Sequence, residues 1–209
     1  MKMKKSFIIV AMILSFAWTT QAQGNLFYLD WDINVPTHNR DWLNATSVKG
    51  AKIGYRKFLN RDNNRFSLGI DFGWTTYDQY VPTRTFENAT GAITTDYFKY
   101  IYQKSLVLSG QYYFKVGELD WLYPYAGLGL GAARNKYRIF YNIYAEGNDS
   151  WGFLARPEAG ILLRFQKKRS IGVMAAVHYD INTSQNKDYN YNYFSSVGFQ
   201  LGIVLMTWY

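Results

Sequence analysis

The stretch "RFSLGIDFGWTT", residues 65–76, puts Phe66, Leu68, Ile70, Phe72 and Trp74 on one side and Ser67, Gly69, Asp71, Gly73 and Thr75 on the other. A strict period of two means an extended strand whose two faces meet different surroundings. The pattern recurs in eight segments, at about 26–35, 48–58, 65–76, 98–115, 123–140, 151–166, 170–182 and 194–209. The connections alternate in length. Those at 59–65, 116–122 and 167–169 are short and polar, and those at 36–47, 77–97, 141–150 and 183–193 are longer. This short–long alternation predicts an antiparallel up-and-down barrel with tight turns at one end and long loops at the other. An even number of strands brings both chain ends to the tight-turn side.

Alternation does not say which face points inward. Three features favour apolar-out and polar-in, as in a membrane. The polar face combines glycines with compact acids and bases: Asp30, Asp32, Lys52, Arg56, Asp71, Arg156, Glu158 and Arg164. Eight strands leave an interior only wide enough for side chains to fill. The apolar faces run for about ten residues, the length a tilted strand needs to cross a bilayer. Aromatics crowd the segment ends: Trp74, Tyr77, Tyr80, Tyr97, Tyr100, Tyr102, Trp121, Tyr123, Tyr191, Tyr193, Trp208 and Tyr209. That placement predicts two interfacial girdles. The chain is 19% aromatic yet has a mean hydropathy of −0.25, which suits strands with one wet face. The expected fold is all-β, an eight-stranded antiparallel up-and-down transmembrane β-barrel over residues 23–209.

Residues 1–22 read as a signal peptide. Lys2, Lys4 and Lys5 precede the apolar run "SFIIVAMILSFAW", and "TTQAQ" offers a small-residue cleavage context before Gln23. Of the formal charge of +8, three units leave with that segment, and about +5 remain. An exported, modestly basic chain does not point to nucleic acid. The absence of cysteine excludes disulfides, thiolate metal sites and a lipid anchor on Cys.

One motif invites a different reading. Gly127-Leu-Gly129-Leu-Gly131-Ala132 fits the dinucleotide pattern G-x-G-x-x-G/A, and Glu146 follows at a suitable distance. The context is wrong, because no helical stripe follows and there is no second βαβ unit. As strand residues, the three glycines share the lumen-facing parity, and Leu128, Leu130 and Ala132 share the lipid-facing one. His178 lies on the polar face beside Asp180, where a Ser-His-Asp site is conceivable, but no serine is placed next to it and a hydrogen-bonded lumen histidine is the better expectation. His38 is expected in an outer loop. Two distant histidines do not make a zinc site. No catalytic, cofactor-binding or metal residue is expected. The lumen set (Asp30, Asp32, Lys52, Arg56, Asp71, Arg156, Glu158, Arg164 and His178) could line a narrow pore. Its four acids and four bases suggest instead a salt-bridged structural plug.

With its "TTQAQ" leader, "YPYAGLGLGAA" strand and terminal "VGFQLGIVLMTWY", the chain resembles the small outer-membrane β-barrel proteins of the OmpA/OmpX type, the porin-family outer-membrane β-barrel domain proteins. The "AQ" context resembles exports of Bacteroidota. The resemblance implies residence in the cell outer membrane, contact with outer-membrane lipid and lipopolysaccharide, and handling by the barrel-assembly machinery. It also implies a non-enzymatic structural or surface-recognition role, with loops 77–97 and 141–150 as candidates for an extracellular ligand. Two alternatives are a narrow diffusion channel and a lipid A-modifying enzyme. A deacylase of that kind pairs His and Ser two residues apart, whereas this chain has His178-Tyr-Asp180.

Overall fold

The structure, a computed structural model, describes residues 24–38, 40–59, 65–88, 91–141, 144–165, 170–186 and 191–207. The expected signal segment, the "KKR" turn and the final Trp208 and Tyr209 lie outside the described residues. Eight strands run in order: β1 Asn25–Pro36, β2 Ser47–Phe58, β3 Phe66–Asn88, β4 Gly91–Tyr113, β5 Leu122–Tyr141, β6 Tyr144–Arg164, β7 Ile171–Asn182 and β8 Phe194–Thr207. Each pairs antiparallel with its neighbour in sequence, and β1 closes on β8 from Asn25↔Thr207 to Pro36↔Ser196. The result is a closed eight-stranded barrel. Closure pairs backbone groups around the ring, which a span through lipid requires.

The strand lengths differ more than the sequence pattern predicts. The four strands β1, β2, β7 and β8 have 12, 12, 12 and 14 residues, while β3 to β6 have 23, 23, 20 and 21. The expected loops 77–97 and 141–150 are therefore corrected: both are the arms of extended hairpins. Tyr77↔Ile101 through Asn88↔Gly91 continue the β3–β4 ladder, and Asn135↔Ser150 through Tyr141↔Tyr144 continue β5–β6. Alternation of apolar with polar residues fades toward the tips, where 82–85 and 144–147 are exposed on both faces, so the pairing leaves no trace in hydropathy there. A register shift between Val81 and Arg84 leaves Pro82 and Thr83 out of the ladder, where a missing N–H costs no hydrogen bond. At the opposite end Gly117 adopts φ 53° in the short turn after β4, a left-handed conformation that glycine takes without strain.

The faces divide as expected. Leu108, Ile203, Leu128, Phe153 and Phe199 point outward, with Leu108 68% exposed. Asp30, Lys52, Arg56, Asp71, Arg156 and His178 point inward and are buried. Apolar-out with charges-in is the inversion that only lipid rewards. Two details need correction. The lumen is not polar throughout, since apolar and aromatic clusters close it at both ends. In addition, Tyr77 and Tyr97, expected in a girdle, point inward and belong to the outer of those clusters.

Candidate functional site

The interior is built in layers. Near the end bearing the short turns, Leu26, Phe58, Leu162, Met174, Val204 and Met206 pack together, and Tyr28, Tyr113 and Tyr125 stand above them. All lie on the inward parity of their strands. The Tyr113 and Tyr125 rings pack at a tilt with centroids 5.3 Å apart, and their hydroxyls donate to Gln111 and Glu158 in the polar layer.

The polar layer consists of linked groups. Arg56 NH2 pairs with Asp71 Oδ2 at 3.2 Å and donates to Tyr28 Oη at 3.1 Å, while Arg56 NH1 donates to Ser109 Oγ at 2.5 Å. Tyr28 Oη donates to Asp71 Oδ1 at 2.5 Å, and Ser109 Oγ donates to Asp71 Oδ2 at 2.6 Å. Lys52 Nζ donates to Gln200 Oε1 at 2.7 Å, sits 3.5 Å from Asp32 Oδ1 and meets His178 Nδ1 at 3.0 Å. Arg156 grips Asp180 with two parallel bonds, Nε to Oδ1 at 2.6 Å and NH2 to Oδ2 at 2.7 Å. Such a fork is the strongest form of ion pair. Glu158 Oε1 accepts from Gln111 Nε2 and Tyr125 Oη, both at 2.8 Å.

Eight of the nine residues read from the sequence meet in or around this layer. Arg164 does not. It lies at the last residue of β6, half-buried, beside the turn where its N–H donates to Trp121 O at 2.8 Å. Asp180, which the expected charge balance left out, joins the layer through Arg156. It shares strand and parity with His178, so alternation could have found it. The layer then holds five acids (Asp30, Asp32, Asp71, Glu158, Asp180) against Lys52, Arg56 and Arg156, which replaces the expected balance of four with four. Asp30 is 1% exposed, and neither carboxylate oxygen has a hydrogen-bond partner among the described residues. Its nearest neighbour across the β1–β8 ladder is Gly202, where any side chain would strike the Asp30 carboxylate.

The glycines of β5 take their meaning here. Gly127, Gly129 and Gly131 face the lumen, and a Cβ on Gly129 would stand 2.6 Å from Val107 Cγ1 and 3.6 Å from Arg156 Cβ. A Cβ on Gly127 would lie 2.6 Å from Gln111 Cγ. The bare strand leaves the space that Arg156, Gln111 and Val107 fill. His178 hydrogen bonds to Lys52 among the described residues, and no serine hydroxyl joins it in a triad.

The outer end is closed by Tyr77, Val81, Tyr97, Ile101, Tyr137, Ile139 and Phe194, together with Trp42 and Leu43 from the segment between β1 and β2. Lys99 Nζ donates to Trp42 O at 2.7 Å and pins that segment over the opening. His38, expected in an outer loop, stacks on Tyr193 at 3.8 Å between centroids. Beyond this lid the long arms of β3, β4, β5 and β6 continue as one projecting sheet.

No family model matches the chain, and no curated protein is recognisably similar to it in sequence. Solved structures do match. The attachment invasion locus protein Ail of Yersinia pestis, solved in complex with the heparin analogue sucrose octasulfate, aligns with a TM-score of 0.52 at 13% identity over 90% of this chain and 100% of that one. Neisserial surface protein A aligns with a TM-score of 0.51 at 14% identity over 88% and 97%. The fold is thus that of the small, eight-stranded outer-membrane β-barrels.

Proposed function

We propose that the protein is an integral outer-membrane barrel, delivered by its leader and the barrel-assembly machinery, that carries out no catalysis. Its work is to hold the projecting β3–β6 sheet above the cell surface for recognition. The observation that carries this reading is the mismatch in strand length. Four strands end near the rim of the apolar band, while the other four continue for roughly ten residues beyond it. A diffusion channel is disfavoured because the apolar and aromatic clusters close both ends of the lumen.

The chain contains no cysteine, so single cysteines can report topology. Thr85→Cys and Ala92→Cys should react on intact cells with a maleimide carried on a large polyethylene glycol. Glu118→Cys, in the short turn, should react only after the outer membrane is broken. The reverse pattern, or no labelling at any site on cells that contain the folded barrel, would defeat the proposal. The acyl pattern of lipid A, compared by mass spectrometry with and without the gene, should be the same; a difference would make the chain an enzyme.

A further inference from the structure

The wall is interrupted between β6 and β7. Ala155↔Ile181 and Glu158↔His178 are in register, but the two positions between them drop out of the ladder. Those positions set Arg156 opposite Asp180 and Pro157 opposite Tyr179. Two pairs further up, the Thr183 N–H donates to the Phe153 carbonyl at 2.9 Å. Bonded pairs alternate with non-bonded ones along an antiparallel ladder, so Pro157 and Tyr179 stand at a bonding position. Proline has no N–H, and the Tyr179 carbonyl loses its ladder donor. Pro157 lies on the outward run of β6, between the exposed Phe165 and Trp151. Lipid at that level offers no replacement donor.

An interruption of β1–β2, between Asp32 and Asn34, is repaired, since the Trp31 indole N–H donates to the Val48 carbonyl at 2.8 Å. Among the described residues no such donor reaches the Tyr179 carbonyl. Ala155 and Ala159, the outward neighbours of Pro157, carry none. The Tyr179 hydroxyl is engaged elsewhere, by Thr37 Oγ1 at 3.4 Å. What spans the gap is on the inner side. Arg156 and Asp180 face each other across it, and their two charge-assisted bonds take the place of the missing rung.

The gap also lies at a border. β6 is the last of the four long strands, and β7 is the short strand beside it. The opposite border, β2–β3, runs unbroken from Lys49↔Thr76 to Phe58↔Ser67. We propose that the wall opens locally at the β6–β7 seam, with the Arg156–Asp180 fork as its latch and β2–β3 as its hinge. A backbone ladder fails rung by rung, whereas a single ion pair is either engaged or released. On release, the bonds of Phe153 with Thr183 and the Ala155–Ile181 rung remain above the gap, and the projecting sheet leans about β2–β3. The device needs the barrel fold and does not depend on the surface role.

The test is amide hydrogen exchange, followed by NMR on the isotope-labelled protein in lipid nanodiscs. The seam amides of Ala155 and Ile181 should exchange at least about tenfold faster than those of Ile53 and Phe72, which pair on β2–β3. Equal rates would overturn the seam. The fork occupies a non-bonded pair, whose close Cα atoms suit a disulfide. In Arg156→Cys with Asp180→Cys, the oxidised form should bring the seam amides down to the rate at β2–β3. Reduction should restore a difference of at least about tenfold. The same ratio of seam to border rates in both redox forms would overturn the latch. Pro157→Val returns an N–H to the ladder and should slow the seam amides about fivefold relative to Ile53 and Phe72. No slowing would refute the missing rung as the cause. Each variant is first checked for heat-modifiable gel mobility. Should the cysteine pair fail that check, the wild-type rates and Pro157→Val still decide.

Discussion

The Arg156–Asp180 fork offers the sharpest test of a closed lumen. Arg156 is 5% exposed and Asp180 2%, and the pair is joined by two bonds of 2.6 and 2.7 Å. At about 4 Å between charge centres and an effective dielectric constant of about 20, the attraction is roughly 4 kcal/mol. Removing one partner also leaves the other charge buried without compensation, at a total cost of about 3–5 kcal/mol. Replacing both by apolar residues of similar volume removes the uncompensated charge and is often close to neutral. Arg156→Met and Asp180→Leu should therefore each lower the unfolding free energy by about 3–5 kcal/mol, and the double variant by no more than about 2. The assay is reversible denaturant unfolding in lipid vesicles, followed by tryptophan fluorescence and by heat-modifiable gel mobility. A coupling energy of at least about 4 kcal/mol from the double-mutant cycle is the expected signature. Single variants that each cost less than about 1 kcal/mol, the range of exposed pairs, would refute the reasoning. The layer would then be wet and screened, and the lumen open to solvent.

Three further outcomes follow from the wall and its faces. Leu108→Arg, on the lipid face and 68% exposed, should cost about 2–4 kcal/mol in vesicles, whereas Val48→Arg near the rim should cost about 0–1, measured by the same unfolding. Gly131→Ala would press a methyl against the Leu106 carbonyl oxygen and to 2.7 Å from Val107 Cα, so it should cost about 1–3 kcal/mol. Gly110→Ala, outward-facing with its nearest neighbour at 3.4 Å, should stay within about 0.5 kcal/mol. Planar-bilayer recordings of the wild-type protein should show no conductance steps, and steps above background would contradict the layered closure of the lumen.

Much of this architecture is legible in the sequence because lipid imposes a binary choice on each strand. Phe66, Leu68, Ile70, Phe72 and Trp74 must all face one way, and Ser67, Asp71 and Thr75 the other, so parity follows from the letters. Parity alone also places Lys52, Arg56, Asp71, Arg156, Glu158 and His178 inside. Two things escape it. Side-chain partners depend on register, shear and rotamer: Arg156 meets Asp180 because the β6–β7 register, from Ala155↔Ile181 to Glu158↔His178, sets them side by side, and Glu158 reaches to Gln111 and Tyr125 instead. Inward apolar residues such as Leu26, Met174 and Val204 break the polar-in rule and read as noise until their common level in the barrel is seen. The continuation of β3 through 77–88 was also hidden. Tyr77 and Val81 still face the interior, but 82–85 are exposed on both faces, and there the period of two carries no hydropathy signal.

The bulge between Val81 and Arg84 has a consequence for how the tall hairpin lives among its neighbours. A closed barrel has no free edge, but β3 outlives its partner β2, and above Thr76 one row of its backbone groups has no partner on β2. Such a row is a template for any passing strand, including a second copy of the same chain in a crowded membrane. Pro82 cannot donate from that row, and the bulge twists it out of line. The hairpin is blunted against growth by strand addition. A partner of the projecting sheet would have to be held by side chains, and the sheet can stand tall without seeding a fibre.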